Sequence, residues 1–269
     1  MKSLYLVSVV SLLIFCSSTN PLSTTEDISH LESVVIIDNF ENSYDKRPEQ
    51  NYLSGLSYHL GDTLPTKDHG IWVIYHNDES SMFAPNGEQM NTGTQVSFGA
   101  ENNFYRAVGP WGKEGNGLHL SMHLKGDNYP HIGVGTAFLG IYGRSWYDFS
   151  SLEKVTFWAK GSGSFYVSMT TDTIHNGYPP GDNWGNFAAT ITLSDEWTYY
   201  EIPVEDFVAR PYSSARNDGL VWEDGKDKVT FFEFVSHQSY DKIANEELEL
   251  FVDAIHFHGI EYSIFGINK

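Results

Sequence analysis

Cysteine is nearly absent from this chain. Cys16 is the only one among 269 residues, so no disulfide can form within the protein. Positive charge is also scarce: 16 Lys and Arg stand against 35 Asp and Glu, a formal net charge of −19, with no Lys/Arg-rich run. Affinity for nucleic acid is built on cationic contacts to phosphate, so that class of partner is excluded. A neutral polysaccharide or a divalent cation fits the balance better. Helical periodicity is missing too, since no segment repeats apolar residues every 3.6 positions over a helical length. The chain carries no Gly-x-Ser-x-Gly elbow, no phosphate- or dinucleotide-binding glycine pattern ahead of a helix, and no Glu-x-Asp-x-Glu signature of jelly-roll glucanases.

What the chain has instead is 15% aromatic residues and 24 glycines, a mix that favours sheets and turns. Lys2 followed by the apolar run from Leu4 to Phe15 reads as a secretory signal, too short to span a bilayer comfortably. Cys16 ends that run, as in a bacterial lipoprotein signal whose cysteine becomes the lipidated N-terminus; Phe15 departs from the small residue usual there. The alternative is ordinary cleavage after Ser18. Residues 1–18 are thus expected to be an export signal, 19–33 a polar tether, and 34–269 one all-β domain. The protein would be secreted or held at the cell envelope, touching membrane only through a lipid anchor, and monomeric.

Within 34–269, segments of period two recur with turn signals between them, as a β-sandwich requires. In Leu118-His-Leu-Ser-Met-His-Leu124, the residues Leu118, Leu120, Met122 and Leu124 face one way and His119, Ser121 and His123 the other. Further strands are expected at 132–137, 155–159, 165–170, 187–193, 197–203, 229–235 and 248–257. Gly161-Ser-Gly163 and the stretch from Leu193 to Trp197 read as turns. Residues 42–117 read as one or two strands, at 71–76 and 95–98, joined by long loops of the kind that tend to be functional. Trp158, Trp197 and Phe231 sit in strand patterns and are expected in the core.

One run stands out, from Glu249 to His258. Strict alternation puts Phe251, Asp253, Ile255 and Phe257 on one side and Leu250, Val252 and Ala254 on the other. An ionised aspartate among such neighbours must be hydrogen-bonded or must bind a cation. A second apolar run, beginning at Val34, closes on Asp38-Asn-Phe-Glu41.

The ordered set Asp38-Asn-Phe-Glu41, Val155-Thr-Phe-Trp-Ala-Lys-Gly161, the stretch Asp195 to Pro203 with Asp206-Phe207, and Phe251-Val-Asp-Ala-Ile255 resembles the family 11 carbohydrate-binding modules and related galactose-binding-like jelly-roll domains. The likeness covers most of 34–259. It implies a β-sandwich of jelly-roll type with long loops, structural calcium, a concave sheet face holding a β-glucan chain, and no catalysis. Glu41 and Asp253 would be calcium ligands, with Asp38 a third, since calcium prefers hard oxygen donors. The chain departs from the family in three places. Residues 42–117 are longer. Val208-Ala-Arg-Pro-Tyr212 keeps only a cation and an aromatic, and Phe234-Val-Ser-His237 lacks a tyrosine.

Sugar recognition needs aromatic surfaces against pyranose faces and planar polar groups for paired hydroxyls. Candidates are Tyr129 and His131, the cluster His175, Tyr178, Asp182 and Trp184, then Arg210 and Tyr212, and finally His237 and Tyr240. His256 and His258 share a strand face about 6.6 Å apart, close enough for one zinc ion, but no third ligand is evident. A lyase or hydrolase on the same sandwich predicts facing carboxylates, or a Tyr/His/Arg set, on the concave face. A surface adhesion or assembly protein predicts an exposed apolar patch.

Overall fold

The computed structural model describes residues 33–38, 40, 56, 72–83, 87, 89–92, 106–110, 116–127, 129–138, 145–172, 186–210, 216, 219–237 and 242–266, all within one unit, Glu32–Lys269. The segment expected to be an export signal, with Cys16, nearly all of the expected tether, and the strand expected at 95–98 lie outside these residues. So do the candidates Glu41, His175, Tyr178, Asp182, Trp184, Tyr212 and Tyr240.

Period-two patterning produces the long strands. Asn116–Gly126 (β6) buries Leu118, Leu120, Met122 and Leu124 and turns His119, Ser121 and His123 outward. The same alternation makes His131–Thr136 (β7), Lys154–Ser162 (β8), Ser164–Thr171 (β9), Phe187–Thr192 (β10) and Thr198–Pro203 (β11). Val229–His237 (β13) is buried on both faces, and Ala244–His258 (β14) alternates as far as Val252; Val34–Asp38 (β1) and Trp72–His76 (β2) lie nearer the start. Residues 42–117 hold more strand than expected: besides β2 there are Ser81–Phe83 (β3), Gln89–Met90 (β4) and Arg106–Val108 (β5). Strands of two or three residues show no readable alternation. These exist because β6 offers an edge to β3 and β5, and β3 offers one to β4. Val208–Ala209 (β12) is formed in the same way, by pairing with β10.

The strands form two antiparallel sheets. The eight-stranded one runs β11-β8-β14-β6-β3-β4, with β1 on β14 and β5 on β6; the six-stranded one runs β12-β10-β9-β13-β7-β2. Their inner faces share one apolar core. Phe157 meets Phe234 across it at 5.2 Å between ring centroids, and Phe257 meets Phe232 at 5.1 Å, both edge-to-face. Such pairs contribute ~1 kcal/mol each beyond their buried area. The fold is an all-β sandwich.

Strand β14 breaks its own alternation. It pairs with β6 as far as Val252 and with β1 from Ile255 onward, so its partner on that edge changes around Asp253 and Ala254. Against β8, three steps from Asp253 to His256 match two from Trp158 to Thr156, a β-bulge, and Ala254 has a positive φ of 49°. The extra residue resets which side chains face in. Leu248, Leu250, Val252, Ile255 and Phe257 all enter the core. Phe251 does not; it lies outside, stacked on His119. The strict alternation expected here is therefore wrong beyond Val252. Trp158 and Trp197 are also half-exposed on that outer face, not in the core, because Val155, Phe157 and Ala159 occupy the inward positions of β8. Phe231 is buried, but on the outer side of the six-stranded sheet, where its ring lies over Gly135.

Close strand approach fixes one glycine. A Cβ on Gly161, whose φ is +137°, would stand 1.9 Å from the Glu249 carbonyl oxygen, so only glycine fits where β8 turns toward β9.

Asp38, wholly buried at the end of β1, has a defined structural task. Its Oδ2 accepts the indole N–H of Trp72 and its Oδ1 the backbone N–H of Phe40, both at 2.8 Å. Phe40, with φ 52°, then packs on Trp72 at 5.9 Å. One carboxylate thus ties the first strand of one sheet to an edge strand of the other. Asp38→Ala strips partners from two buried donors and should lower the unfolding free energy by about 3 kcal/mol, read from urea denaturation; a change below about 0.5 kcal/mol would refute this role.

Candidate functional site on the six-stranded sheet

The outward face of the six-stranded sheet follows from register. Ile74, Val134, Phe234 and Val167 are cross-strand neighbours in the core, so the residues on either side of them point outward. One outward row runs Tyr75, Gly133, Val235, Tyr166, Thr190; the next runs Val73, Gly135, Glu233, Ser168, Ala188. Beyond the first row, His131 stands opposite His237. Gly133 is required here, because a Cβ would come 2.6 Å from the Tyr75 hydroxyl, whose ring lies across the strand.

At the centre is Glu233, only 5% exposed. Its Oε2 accepts a hydrogen bond from the Tyr75 hydroxyl, and its Oε1 accepts the Asn186 amide N–H at 2.6 Å and faces the Arg210 guanidinium at 3.6 Å. Asn186 and Arg210 reach it together because they flank the paired strands β10 and β12, where the Arg210 N–H donates to the Asn186 carbonyl at 3.0 Å.

Around this charge lies a chain of half-exposed rings. Arg210 sits over the Tyr166 ring at 5.0 Å, and Tyr166 stacks on His237 with centroids 4.7 Å apart and an 11° interplanar angle. His237 contacts Tyr129 at 5.1 Å, Tyr129 contacts His131 at 6.0 Å, and His131 contacts Tyr75 at 6.3 Å. Tyr129 has a positive φ of 55°, and its carbonyl lies 3.1 Å from His131 Nδ1, which orients that ring. A non-glycine residue in this conformation costs about 1–2 kcal/mol, strain of the kind that clusters at functional sites.

Four expected ligand-binding residues, Tyr129, His131, Arg210 and His237, therefore come together on one face. Four others were not singled out: Tyr75, Tyr166, Asn186 and Glu233. The signal for Glu233 was present, a lone carboxylate inside Phe231-Phe-Glu-Phe-Val235, the same pattern that drew attention to Asp253.

For a metal, no group of three His, Cys, Asp or Glu side chains gathers among the described residues. Asp253 is fully buried at the β14 bulge, its Oδ1 accepting the Ala254 N–H at 2.6 Å. His258 Nε2 is 3.0 Å from the Thr156 hydroxyl, and burial, with His258 adding to it, holds His256 below the ordinary imidazole value.

The chain matches no protein-family model and no curated protein. Among solved structures it is similar to the family 11 carbohydrate-binding module of a cellulosomal cellulase of Clostridium thermocellum, at 17% identity, covering 85% of this chain and 96% of that one, with a TM-score of 0.48. It is likewise similar to the family 11 module from Clostridium thermocellum in complex with a β-1,3-1,4-mixed-linked tetrasaccharide (16% identity, 85% and 96% covered, TM-score 0.47). A family 29 carbohydrate-binding module follows at 10% identity, 54% and 70% covered, TM-score 0.29.

Glu233→Gln leaves the Arg210 guanidinium buried without that carboxylate and is expected to lower stability by about 3 kcal/mol in urea denaturation; an unchanged midpoint would show that the pair is idle. Acid should destabilise the fold as well. Burial holds His131 below the ordinary value of 6.5, partly offset by its hydrogen bond to Tyr129, and burial does the same to His119 against the opposing pull of Glu249. Between 6.5 and the lower folded-state values the unfolded chain binds more protons than the native one, so stability falls as pH drops through that window and then levels off. His131→Gln should flatten the slope measured from urea midpoints between about pH 7 and 5.

Proposed function

We propose that this protein binds a neutral polysaccharide chain, without cleaving it, on the outward face of the six-stranded sheet. The carrying observation is the ring sequence Arg210–Tyr166–His237–Tyr129–His131–Tyr75 around the carboxylate of Glu233. Aromatic rings offer flat apolar faces to the C–H surfaces of pyranoses. Carboxylate, amide, imidazole and guanidinium groups supply the directed donors and acceptors that fix hydroxyls. A few fixed polar groups among rings is the general make-up of a small-ligand site. The polymer class that the sequence resemblance implies is β-glucan. His175, Tyr178, Asp182, Trp184, Tyr212 and Tyr240 are proposed as further sugar contacts on the strength of their residue types in the sequence.

Structural calcium belongs to the same reading, with Asp253 and Glu41 as hard oxygen donors and backbone carbonyls completing the set. Asp38 has its carboxylate already engaged by Trp72 and Phe40. The bound ion would pin the last strand near its change of partner. The segment ending at Cys16 supports an exported domain, tethered through that cysteine or released after Ser18.

A second reading has one observation in its favour. Tyr75, His131 and Arg210 form a Tyr/His/Arg set beside Glu233, a grouping suited to proton abstraction in a lyase. A retaining hydrolase would need two carboxyls about 5–5.5 Å apart. Among the described strand residues of this face Glu233 is the only acid.

Affinity electrophoresis in gels of β-glucan, xylan or mannan, with calcium, tests the binding reading. Retardation in one gel, weakened in Tyr166→Ala and in His237→Ala and kept in full in Tyr166→Phe, is the expected result. Uniform mobility in every gel would sink it, and shortening of the polymer or an unsaturated product would favour the lyase. A chelator should lower the melting temperature and added calcium restore it, since an ion bound only to the folded state stabilises that state; no response removes the ion site.

A further inference from the structure

The outward face of the eight-stranded sheet carries a second aromatic surface. Cross-strand register puts Tyr199 beside Trp158 and Trp158 beside Asp253; in the next row Lys160 is beside Phe251 and Phe251 beside His119. Trp197, just before β11, reaches over the same rows: a Cβ on Gly117 would lie 3.4 Å from the edge of its indole.

These side chains hold one another in place. His119 stacks on Phe251 at 3.9 Å with a 10° interplanar angle, and Trp197 meets Phe251 edge-on at 6.3 Å. The Lys160 ammonium lies 4.6 Å from the Phe251 centroid and 5.5 Å from that of Trp197. Trp158 packs on Tyr199 at 5.4 Å, and Tyr199 remains 49% exposed. Polar groups edge the band. Glu249 stands 3.7 Å from His119 Nε2 and accepts from the Ser121 hydroxyl at 3.3 Å, while Lys154 pairs with Glu201 at 3.2 Å one row beyond Tyr199.

From this arrangement we infer a second binding site for a neutral glycan chain, on the opposite side of the domain from Glu233, with Trp158 and Tyr199 as its stacking platform. The occupant follows from charge and from the mix of groups. A second copy of the chain would bring its own net charge of −19 against this one, and an anionic polymer would meet the same repulsion. A neutral sugar polymer meets none. It also matches a face on which aromatic and hydrogen-bonding groups interleave, where an apolar protein surface would strip water from the charged Lys160 and Glu249. A domain with a glycan site on each sheet is bivalent and can join two polymer strands, with avidity set by the separation of its faces.

Four proteins separate the two sites: the native chain, Tyr166→Ala/His237→Ala, Trp158→Ala/Tyr199→Ala, and all four changes combined. Each is run in the β-glucan, xylan and mannan gels, and the viscosity of the retarding polymer is measured with the native chain. The inference expects residual retardation in both double variants, about tenfold weaker than native. Retardation should vanish only in the combined variant, and the native chain should raise polymer viscosity while neither double variant does. Retardation lost entirely in Tyr166→Ala/His237→Ala overturns the second site and leaves the first standing. Retardation surviving there and lost in Trp158→Ala/Tyr199→Ala keeps the second and overturns the first, and no retardation of the native chain overturns both. Trp158→Phe/Tyr199→Phe, which keeps a ring at each position, should restore native behaviour. If it binds no better than the alanine pair at an unchanged melting temperature, stacking is not the source of affinity.

Discussion

One extra residue in β14 decides the faces of this protein. A strand of 15 residues lies between β8 on one edge and β6 and then β1 on the other, so among the described strands the first joins its sheet through β14 alone. Without the bulge at Asp253 and Ala254, continued alternation from Val252 would turn Ile255 and Phe257 outward and break the core below β1. With it, both apolar halves of the strand reach the core and Phe251 is left outside among His119, Lys160 and Trp197. The aspartate in the bulge is buried by that same geometry, and its carboxylate meets the backbone N–H of the residue that bends the chain.

The six-stranded sheet has a comparable constraint on its outer side. A carboxylate at the centre of a sheet face is tolerable only when surrounded by donors, and Glu233 has three, from Tyr75, Asn186 and Arg210. Its presence orders the neighbours: Tyr75 is drawn across Gly133, and Arg210 lies against Tyr166. Buried charge of this kind contributes little net stability, but it holds groups in a fixed arrangement. A binding surface gains from such order, because rings already in position lose less conformational freedom when a ligand arrives.

Both outer faces therefore carry aromatic groups locked by a cation, Arg210 over Tyr166 on one sheet and Lys160 beside Phe251 and Trp197 on the other. Only 16 Lys and Arg residues occur in the chain, and two of them, Arg210 and Lys160, lie over rings on these faces.

The amino-acid sequence alone determined the all-β class, the long strands and the core face of most of them, because a two-residue period reports directly on which side chains are buried. The four short strands were illegible: their existence rests on an edge supplied by a distant strand, a tertiary fact. Trp158 and Trp197 were misplaced because aromatic bulk suggests burial, while position in the alternation decides it. Arg210, Tyr129, His131 and His237 were legible as polar or aromatic residues at strand ends and loops. Their convergence on Glu233, with Tyr75 and Tyr166, was not, since residues as far apart as Tyr75 and Glu233 become neighbours only through strand order and register. Asp253 shows the division most clearly. The sequence marked it as a carboxylate needing a partner, and only the folded chain, by adding one residue at that point, decided which way it and everything after it would face.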